Sequence, residues 1–207
     1  MMNMLVGAAT VLALCATAPA FAVGDADAGR IKANTCMGCH GIPNYTNAYP
    51  TYRVPKLGGQ SEGQIVAALK AYKSGERPHK TMRAQVANLS EQDMADIATY
   101  LTQAPVHPGG KAGGGRNSEL DKAQTCAACH GPNGAKPITP DYPVLAGQYT
   151  TYLKHALHEY KSGKRKNLIM AGQVAALSDD DIEALASYFA GQQSLLYTPS
   201  ISGKHVR

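Results

Sequence analysis

Aromatic residues are scarce in this sequence. It has no tryptophan and two phenylalanines among 207 residues, and aromatic side chains make up 6% of the chain. Two domains with such thin cores are marginal without a disulfide, a metal or a large prosthetic group. A structural disulfide is excluded, because four of the five cysteines fall in two short motifs and Cys15 lies in the N-terminal segment. The sequence therefore favours a bound metal or prosthetic group.

A strong net charge is also lacking. The formal charge is +5, and the isoelectric point is about 8.9. This balance is too small to predict nucleic-acid binding. It favours docking on acidic protein surfaces or on anionic membranes.

A long apolar run occurs only near the N-terminus, at residues 4–18. Pro19 and then Ala20-Phe21-Ala22 follow it, and this A-x-A pattern predicts cleavage after Ala22. No lysine or arginine precedes the run, which is unusual for a signal. We predict that residues 1–22 are a signal peptide and that the mature protein is periplasmic. Without cleavage, these roughly 20 residues would be just long enough for a membrane anchor.

The sequence contains the motif Cys-x-x-Cys-His twice, at residues 36–40 and 126–130. This motif is typical of covalent attachment of haem c, in which each thiol binds a vinyl group and the histidine binds the iron. A zinc ribbon or a redox dithiol is the alternative, but a ribbon needs its cysteine pairs roughly 15 to 20 residues apart. We therefore predict two covalently bound haem c groups, held by Cys36, Cys39 and His40 and by Cys126, Cys129 and His130.

The two motifs belong to two copies of one longer pattern. Segments that contain Gly-Gln, Tyr-Lys-Ser-Gly and Leu-Ser recur 88 residues apart, at residues 57–90 and 145–178. Between the copies lies a stretch rich in glycine and proline that has no periodicity. The predicted organisation is a first domain at residues 23–104, a linker at 105–116, a second domain at 117–190 and a C-terminal tail at 191–207.

Each copy has the periodicity of a small all-helical unit, and no stretch alternates like a strand. A first helix leads into each motif, from near Asp25 and near Ser118. A middle helix ends at Gly75 and at Gly163, where glycine favours a helix C-terminus. Capping pairs mark the start of the last helix in each copy, Ser90 with Asp93 and Ser178 with Asp181.

The residue opposite the histidine decides what each haem iron does, because a protein ligand there favours electron transfer and an open position favours binding or catalysis. Met82 and Met170 lie 88 residues apart, in a predicted loop, and we expect both to be iron ligands. His79 is the alternative in the first copy, but Asn167 occupies its place in the second. The other histidines, His107, His155, His158 and His205, are expected at the surface, and Met37 and Met94 in the core.

Taken together, the motifs resemble the dihaem cytochrome c4 family. The shared features are two Cys-x-x-Cys-His-Gly units, a Pro-x-Leu after each, the Gly-Gln and Tyr-Lys-Ser-Gly segments, and a methionine before Leu-Ser. The resemblance implies an all-α fold of two tandem class I cytochrome c domains related by pseudo-twofold symmetry. It also implies that the carbonyls of Pro55 and Pro143 accept a hydrogen bond from the ligand histidines, His40 and His130.

Two regions depart from the family pattern. Residues 45–52 contain three tyrosines, include two extra residues and are unlike the second copy. We interpret them as a packed surface loop rather than a segment that reshapes the first haem edge or a docking surface. The tail from Gly191 is expected to be loose. Basic residues before each methionine suggest a rim that steers an acidic partner or, equally, solvated helix ends. They are Lys70, Lys73, Arg77 and Lys80 in one copy and Lys161, Lys164, Arg165 and Lys166 in the other.

These patterns predict a periplasmic carrier of single electrons rather than an enzyme. Its expected partners are redox proteins, such as a haem-copper terminal oxidase or a periplasmic dehydrogenase, and membrane association is possible. The first alternative is the cytochrome subunit of a flavocytochrome-type sulfide dehydrogenase, which would co-purify with a flavoprotein. The second is a dihaem peroxidase, against which the paired methionines argue.

Overall fold

The computed structural model describes residues 23–111 and 121–200. The predicted signal peptide, Cys15, the helix start near Ser118 and His205 lie outside the described residues. In the described part, no helix is both long enough and apolar enough to cross a membrane.

The described residues are mostly helical, which confirms the predicted all-α class. Their helices are α1 Ala26–Lys32, α2 Met37–His40, α3 Glu62–Ser74, α4 Lys80–Val86, α5 Glu91–Gln103, α6 Asp121–His130, α7 Thr150–Lys161, α8 Leu168–Val174 and α9 Asp179–Gly191. Short 3₁₀ turns occupy Ala33–Thr35 and Pro132–Gly134. Two antiparallel strand pairs join β1 Thr46–Asn47 to β2 Tyr52–Arg53, and β3 Val106–Lys111 to β4 Tyr197–Pro199.

The helix boundaries follow the capping residues in the sequence. The Ser90 hydroxyl accepts a hydrogen bond from the Asp93 amide, and the Asp93 carboxylate accepts one from the Ser90 amide, which completes a capping box. Ser178 and Asp181 form the same box at α9. Helix α3 ends at Gly75, whose φ of 84° places it in the left-handed region that glycine favours. The predicted caps of the last helices are therefore confirmed.

Helix α1 crosses α5 at close range. A Cβ on Gly29 would lie 1.9 Å from the Asp96 carbonyl oxygen, so only glycine permits this approach. An ion pair holds the crossing, because the Lys32 ammonium lies 2.6 Å from the carboxylates of both Asp93 and Asp96. The tight crossing closes the first core, whose largest fully buried side chains are those of the α5 residues Met94, Ile97 and Leu101.

Met82 and Met170 lie on short helices, α4 and α8, and the loop predicted for them is wrong. Each helix has only seven residues, which is too short to show a helical period in the sequence. The side chains of His79 and Asn167 start these helices by accepting hydrogen bonds from the amides of Met82 and Met170, at 3.2 and 3.0 Å. The two residues therefore share a capping role although they differ chemically.

The segments that flank the second domain, in the predicted linker and the predicted tail, are more regular than their composition suggested. Strand β3 lies in the predicted linker, and β4 lies in the predicted tail. Leu196 and Gln192 are each 1% exposed, so the loose tail expected from Gly191 is wrong for residues 192–200. Backbone pairing needs no alternation in sequence, which is why these short strands gave no signal.

Candidate haem sites

Each Cys-x-x-Cys-His motif forms one helical turn that points its functional groups in a common direction. In the first, the His40 amide donates to the Cys36 carbonyl at 2.9 Å, so the turn continues through the histidine. Both cysteines are half-buried and form no disulfide, as is also true of Cys126 and Cys129. Residues spaced i and i+3 face the same side of a helix, as two thioether bonds to one porphyrin require.

The two motif histidines are held in matching orientations. Nδ1 of His40 lies 2.9 Å from the Pro55 carbonyl oxygen, and Nδ1 of His130 lies 2.9 Å from the Pro143 carbonyl oxygen. A carbonyl can only accept, so Nδ1 carries the proton and donates it. Burial lowers the pKa of both imidazoles and keeps them neutral. The lone pair of Nε2 is therefore free in each ring, as an iron ligand requires.

The proposed methionine ligands occupy equivalent but not identical surroundings. Met82 is half-buried and packs against the same core cluster as Cys36. Met170 is half-buried on α8, at the matching position. Among the described residues, no three Cys, His, Asp or Glu side chains form a group that could hold a metal ion.

Sequence reasoning missed the two glutamines of the repeated Gly-Gln segments as functional residues. The side-chain amide of Gln148 pairs with the backbone of Lys56. Its oxygen accepts a hydrogen bond from the Lys56 backbone N–H at 2.9 Å, and its nitrogen donates one to the Lys56 carbonyl at 3.0 Å. Gln60 forms the reciprocal pair with the amide and carbonyl of Val144, each at 2.9 Å. Lys56 and Val144 each follow the proline that orients a ligand histidine. Each domain therefore braces the histidine-orienting segment of the other, and the repetition of Gly-Gln was the available signal.

Replacing Gln148 by alanine is expected to destabilise the holoprotein by about 3 kcal/mol, because buried backbone groups lose their partners. Gln148 is 3% exposed, and its carbonyl also accepts from the Tyr149 amide. Urea unfolding followed by circular dichroism measures the change. The exposed Gln193 provides the matched control, for which alanine should change the unfolding free energy little. Equal stability of the two variants would contradict the bracing role.

The tyrosine-rich segment at residues 45–52 is exposed in its middle and contacts the second domain at its C-terminal end. Tyr49 is 93% exposed, whereas Tyr52 is 6% exposed. The Tyr52 ring stacks on the imidazole of His155 in the second domain, with ring centroids 4.1 Å apart. The Arg53 amide continues the contact by donating to the Thr151 hydroxyl at 3.0 Å. The segment is thus partly an interdomain contact. His155, which was expected at the surface, is half-buried at this contact, with its side chain 24% exposed.

The basic residues before each methionine do not form the uniform rim that composition suggested. Arg165 is 6% exposed, and its guanidinium lies 4.7 Å from the centroid of the Tyr160 ring. Lys70 pairs with Glu91 at 2.9 Å. Lys73 donates to the Leu89 carbonyl, and the Arg77 guanidinium lies 5.5 Å from the centroid of the Tyr72 ring. Packing, which the sequence does not show, removes Arg165 from the surface and engages several of the other cations.

Two helical domains with one Cys-x-x-Cys-His turn each define a dihaem c-type cytochrome, an electron-transfer protein. A sequence model of the Cytochrome c family matches the chain twice, at residues 26–105 and 118–192. Cytochrome c4 of Pseudomonas aeruginosa is 36% identical over 196 residues, which cover 87% of this chain and 95% of that protein. The chain belongs to the cytochrome c4 family, and it carries two covalently bound haem c groups.

Two further comparisons agree with this family. The crystal structure of reduced recombinant cytochrome c4 from Pseudomonas stutzeri matches with a TM-score of 0.67 at 30% identity, covering 83% of this chain and 100% of that one. A protein of Stutzerimonas stutzeri named thiosulfate dehydrogenase electron acceptor is 32% identical over 76% of this chain and 79% of its own length. Redox proteins are therefore the class of partner.

Proposed function

We propose that this protein is a periplasmic carrier of single electrons between respiratory or periplasmic redox enzymes, with both haem irons bound by histidine and methionine. The observation that carries the proposal is the pair of bonds from His40 and His130 to the proline carbonyls. Both imidazoles are fixed in the tautomer that leaves Nε2 for iron. Their matched geometry supports the same role in both domains.

Each side chain has a separate task in this proposal. Cys36 and Cys39 attach one haem, and Cys126 and Cys129 attach the other. His40 and Met82 bind the first iron, and His130 and Met170 bind the second. The bound haem c supplies one reversible electron per iron. The carbonyls of Pro55 and Pro143 hold the imidazoles and raise their basicity, and methionine as the other iron ligand would raise the potential.

The partners we propose are enzymes that exchange one electron at a time. A haem-copper terminal oxidase is a suitable acceptor, and a periplasmic dehydrogenase is a suitable donor. The relative named as an electron acceptor of thiosulfate dehydrogenase favours the donor side of this scheme. A second candidate function is therefore the electron-accepting subunit of a dehydrogenase, including a flavocytochrome type. Stable co-purification with an enzyme subunit would favour that function over a free carrier.

A carbon monoxide titration of the reduced holoprotein tests the proposal. We expect two haems per chain and no bound carbon monoxide, because a methionine fills the sixth position at each iron. The visible spectrum, normalised to haem content, measures binding. Stoichiometric binding at either haem would contradict the ligand assignment and would revive the peroxidase alternative.

A further inference from the structure

The two domains differ at one equivalent corner, the turn that leads into the helix of each proposed methionine ligand. We define the first-domain corner as residues 76–81 and the second-domain corner as residues 164–169, which are 88 residues apart. The Lys166 amide donates to the Glu76 carbonyl at 2.7 Å, so the two corners adjoin. A partner that approaches this side of the molecule meets both corners and can distinguish them only by their side chains.

Large hydrophobic side chains are exposed at the second of these corners, whereas the exposed apolar residue of the first is a single proline, Pro78. Leu168 is 93% exposed and Ile169 is 56% exposed. The equivalent residues of the first-domain corner are Lys80 and Thr81, which are polar and also exposed. Leu168 contributes little to packing, so its exposure serves no evident purpose in the folded monomer. Adjacent exposed apolar residues beside a functional group often mark an interaction site.

The charges of the two corners also differ. Lys164 and Lys166 are exposed, and neither side chain pairs with a carboxylate among the described residues. The equivalent residues of the first-domain corner are Glu76 and Pro78. Nearby Lys161 lies 3.8 Å from Asp179 and is already paired. The second-domain corner therefore combines two exposed lysines with an apolar pair. The first-domain corner has one glutamate, one exposed lysine and Arg77, whose guanidinium is already held over the Tyr72 ring.

We propose that the second-domain corner is the docking site for an acidic redox protein whose contact surface has a small apolar centre. This inference rests on the proposed function, because Ile169 directly precedes the ligand we assign, Met170. The apolar pair forms the dry centre of the contact, and the two lysines attract carboxylates around it. The small size of the site suits electron transfer, in which complexes are transient and bury little area. Electrons enter or leave through the second domain.

The charge pattern determines which occupant we assign. A second copy of this chain would meet the same two lysines, so like charges would oppose a symmetric contact between these corners. An anionic membrane would also accept lysine and leucine, but the site is a short turn rather than a long amphipathic face. An acidic protein surface complements both the lysines and the apolar pair.

Electron transfer from the reduced holoprotein to oxidised plastocyanin tests the proposal, with plastocyanin as an acidic one-electron probe that has an apolar contact patch. Stopped-flow absorbance gives the second-order rate constant at low ionic strength. We expect the rate constant of the double variant Lys164→Glu/Lys166→Glu to be about one tenth of that of the unaltered protein, or lower. Leu168→Ser should lower the rate constant several-fold, because it removes the dry centre without removing a charge.

Lys80→Glu is the matched control at the equivalent position of the first-domain corner. It reverses one charge, as Lys166→Glu does, and should lower the rate constant less than Lys166→Glu alone. If Lys80→Glu is as slow as Lys166→Glu, the assignment to the second domain is overturned. An unchanged rate constant for Leu168→Ser would overturn the apolar centre.

Two further measurements separate this inference from the proposed function. A small cationic oxidant, tris(phenanthroline)cobalt(III), should oxidise Leu168→Ser at the rate of the unaltered protein, because it needs no apolar docking centre. Failure of this reaction in the unaltered protein would count against the carrier function itself. Phosphatidylglycerol vesicles and gel filtration test the other occupants. Binding to vesicles or dimerisation that Leu168→Ser abolishes, with an unchanged plastocyanin rate, would overturn the proposal.

Discussion

Replacing Met170 by alanine is expected to give a reduced protein that binds one carbon monoxide per chain, whereas the unaltered protein binds none. The substitution removes the proposed iron ligand of the second haem and leaves His130 held by the Pro143 carbonyl. Met82→Ala should have the same effect at the first haem. Loss of the thioether should also lower the potential of the affected haem by an amount on the order of 0.1 V, because axial ligands set the potential over a wide range.

Two controls identify the ligand at the first haem. Met94 is 2% exposed in the core, and Met94→Leu keeps its volume, so this variant should bind no carbon monoxide. His79→Ala removes the helix cap of α4 but should also leave the iron closed. Carbon monoxide binding by His79→Ala together with a closed site in Met82→Ala would show that His79 is the ligand. Redox titration of each variant gives the accompanying shift in potential.

Replacing Gly58 by alanine is expected to destabilise the protein by about 2 kcal/mol, a typical effect of overpacking. A Cβ at this position would lie 2.2 Å from a carbon of the Tyr197 ring. The same two residues exchange backbone hydrogen bonds of 3.1 and 2.9 Å, so the ring has little freedom to move away. The Tyr197 hydroxyl also donates to the Ala104 carbonyl at 2.8 Å. We therefore expect the C-terminal strand to detach from the first domain.

A double-mutant cycle tests this explanation against a general intolerance of alanine. In a Tyr197→Ala background the clash is absent, so Gly58→Ala should have little further effect on the free energy of unfolding. Urea unfolding of the two single variants and the double variant gives the coupling energy. Additive effects would contradict the contact. The chain itself offers a precedent, because Ala146 occupies the equivalent position in the second domain and is fully buried.

The repeat carried most of the information that was predictable from the sequence. Ser90 with Asp93 and Ser178 with Asp181 specify helix starts by local hydrogen bonds, which depend on residues only three positions apart. The Cys-x-x-Cys-His turns are local in the same sense. Such signals survive in any tertiary context, and the helical class was therefore predictable before the fold was known.

Contacts between distant segments could not be predicted in this way. Lysines surround Arg165 in the sequence, which predicts an exposed cation, but Arg165 packs against Tyr160 and is buried. His155 has no counterpart in the repeat, and it stacks on Tyr52 from the other domain. Burial of a charged or polar side chain depends on what packs above it, and neighbours along the chain do not determine that.

The sequence by itself determined the class of protein, the number of haems and the residues of each motif, because covalent attachment and helix capping need only short, fixed spacings. The tertiary structure decided how the two copies are joined. Gln60 and Gln148 reach the backbone of the opposite domain, and Tyr197 returns to Gly58 of the first. These contacts join residues far apart in the chain, and hydrogen bonds to backbone groups impose no pattern on the sequence of the partner.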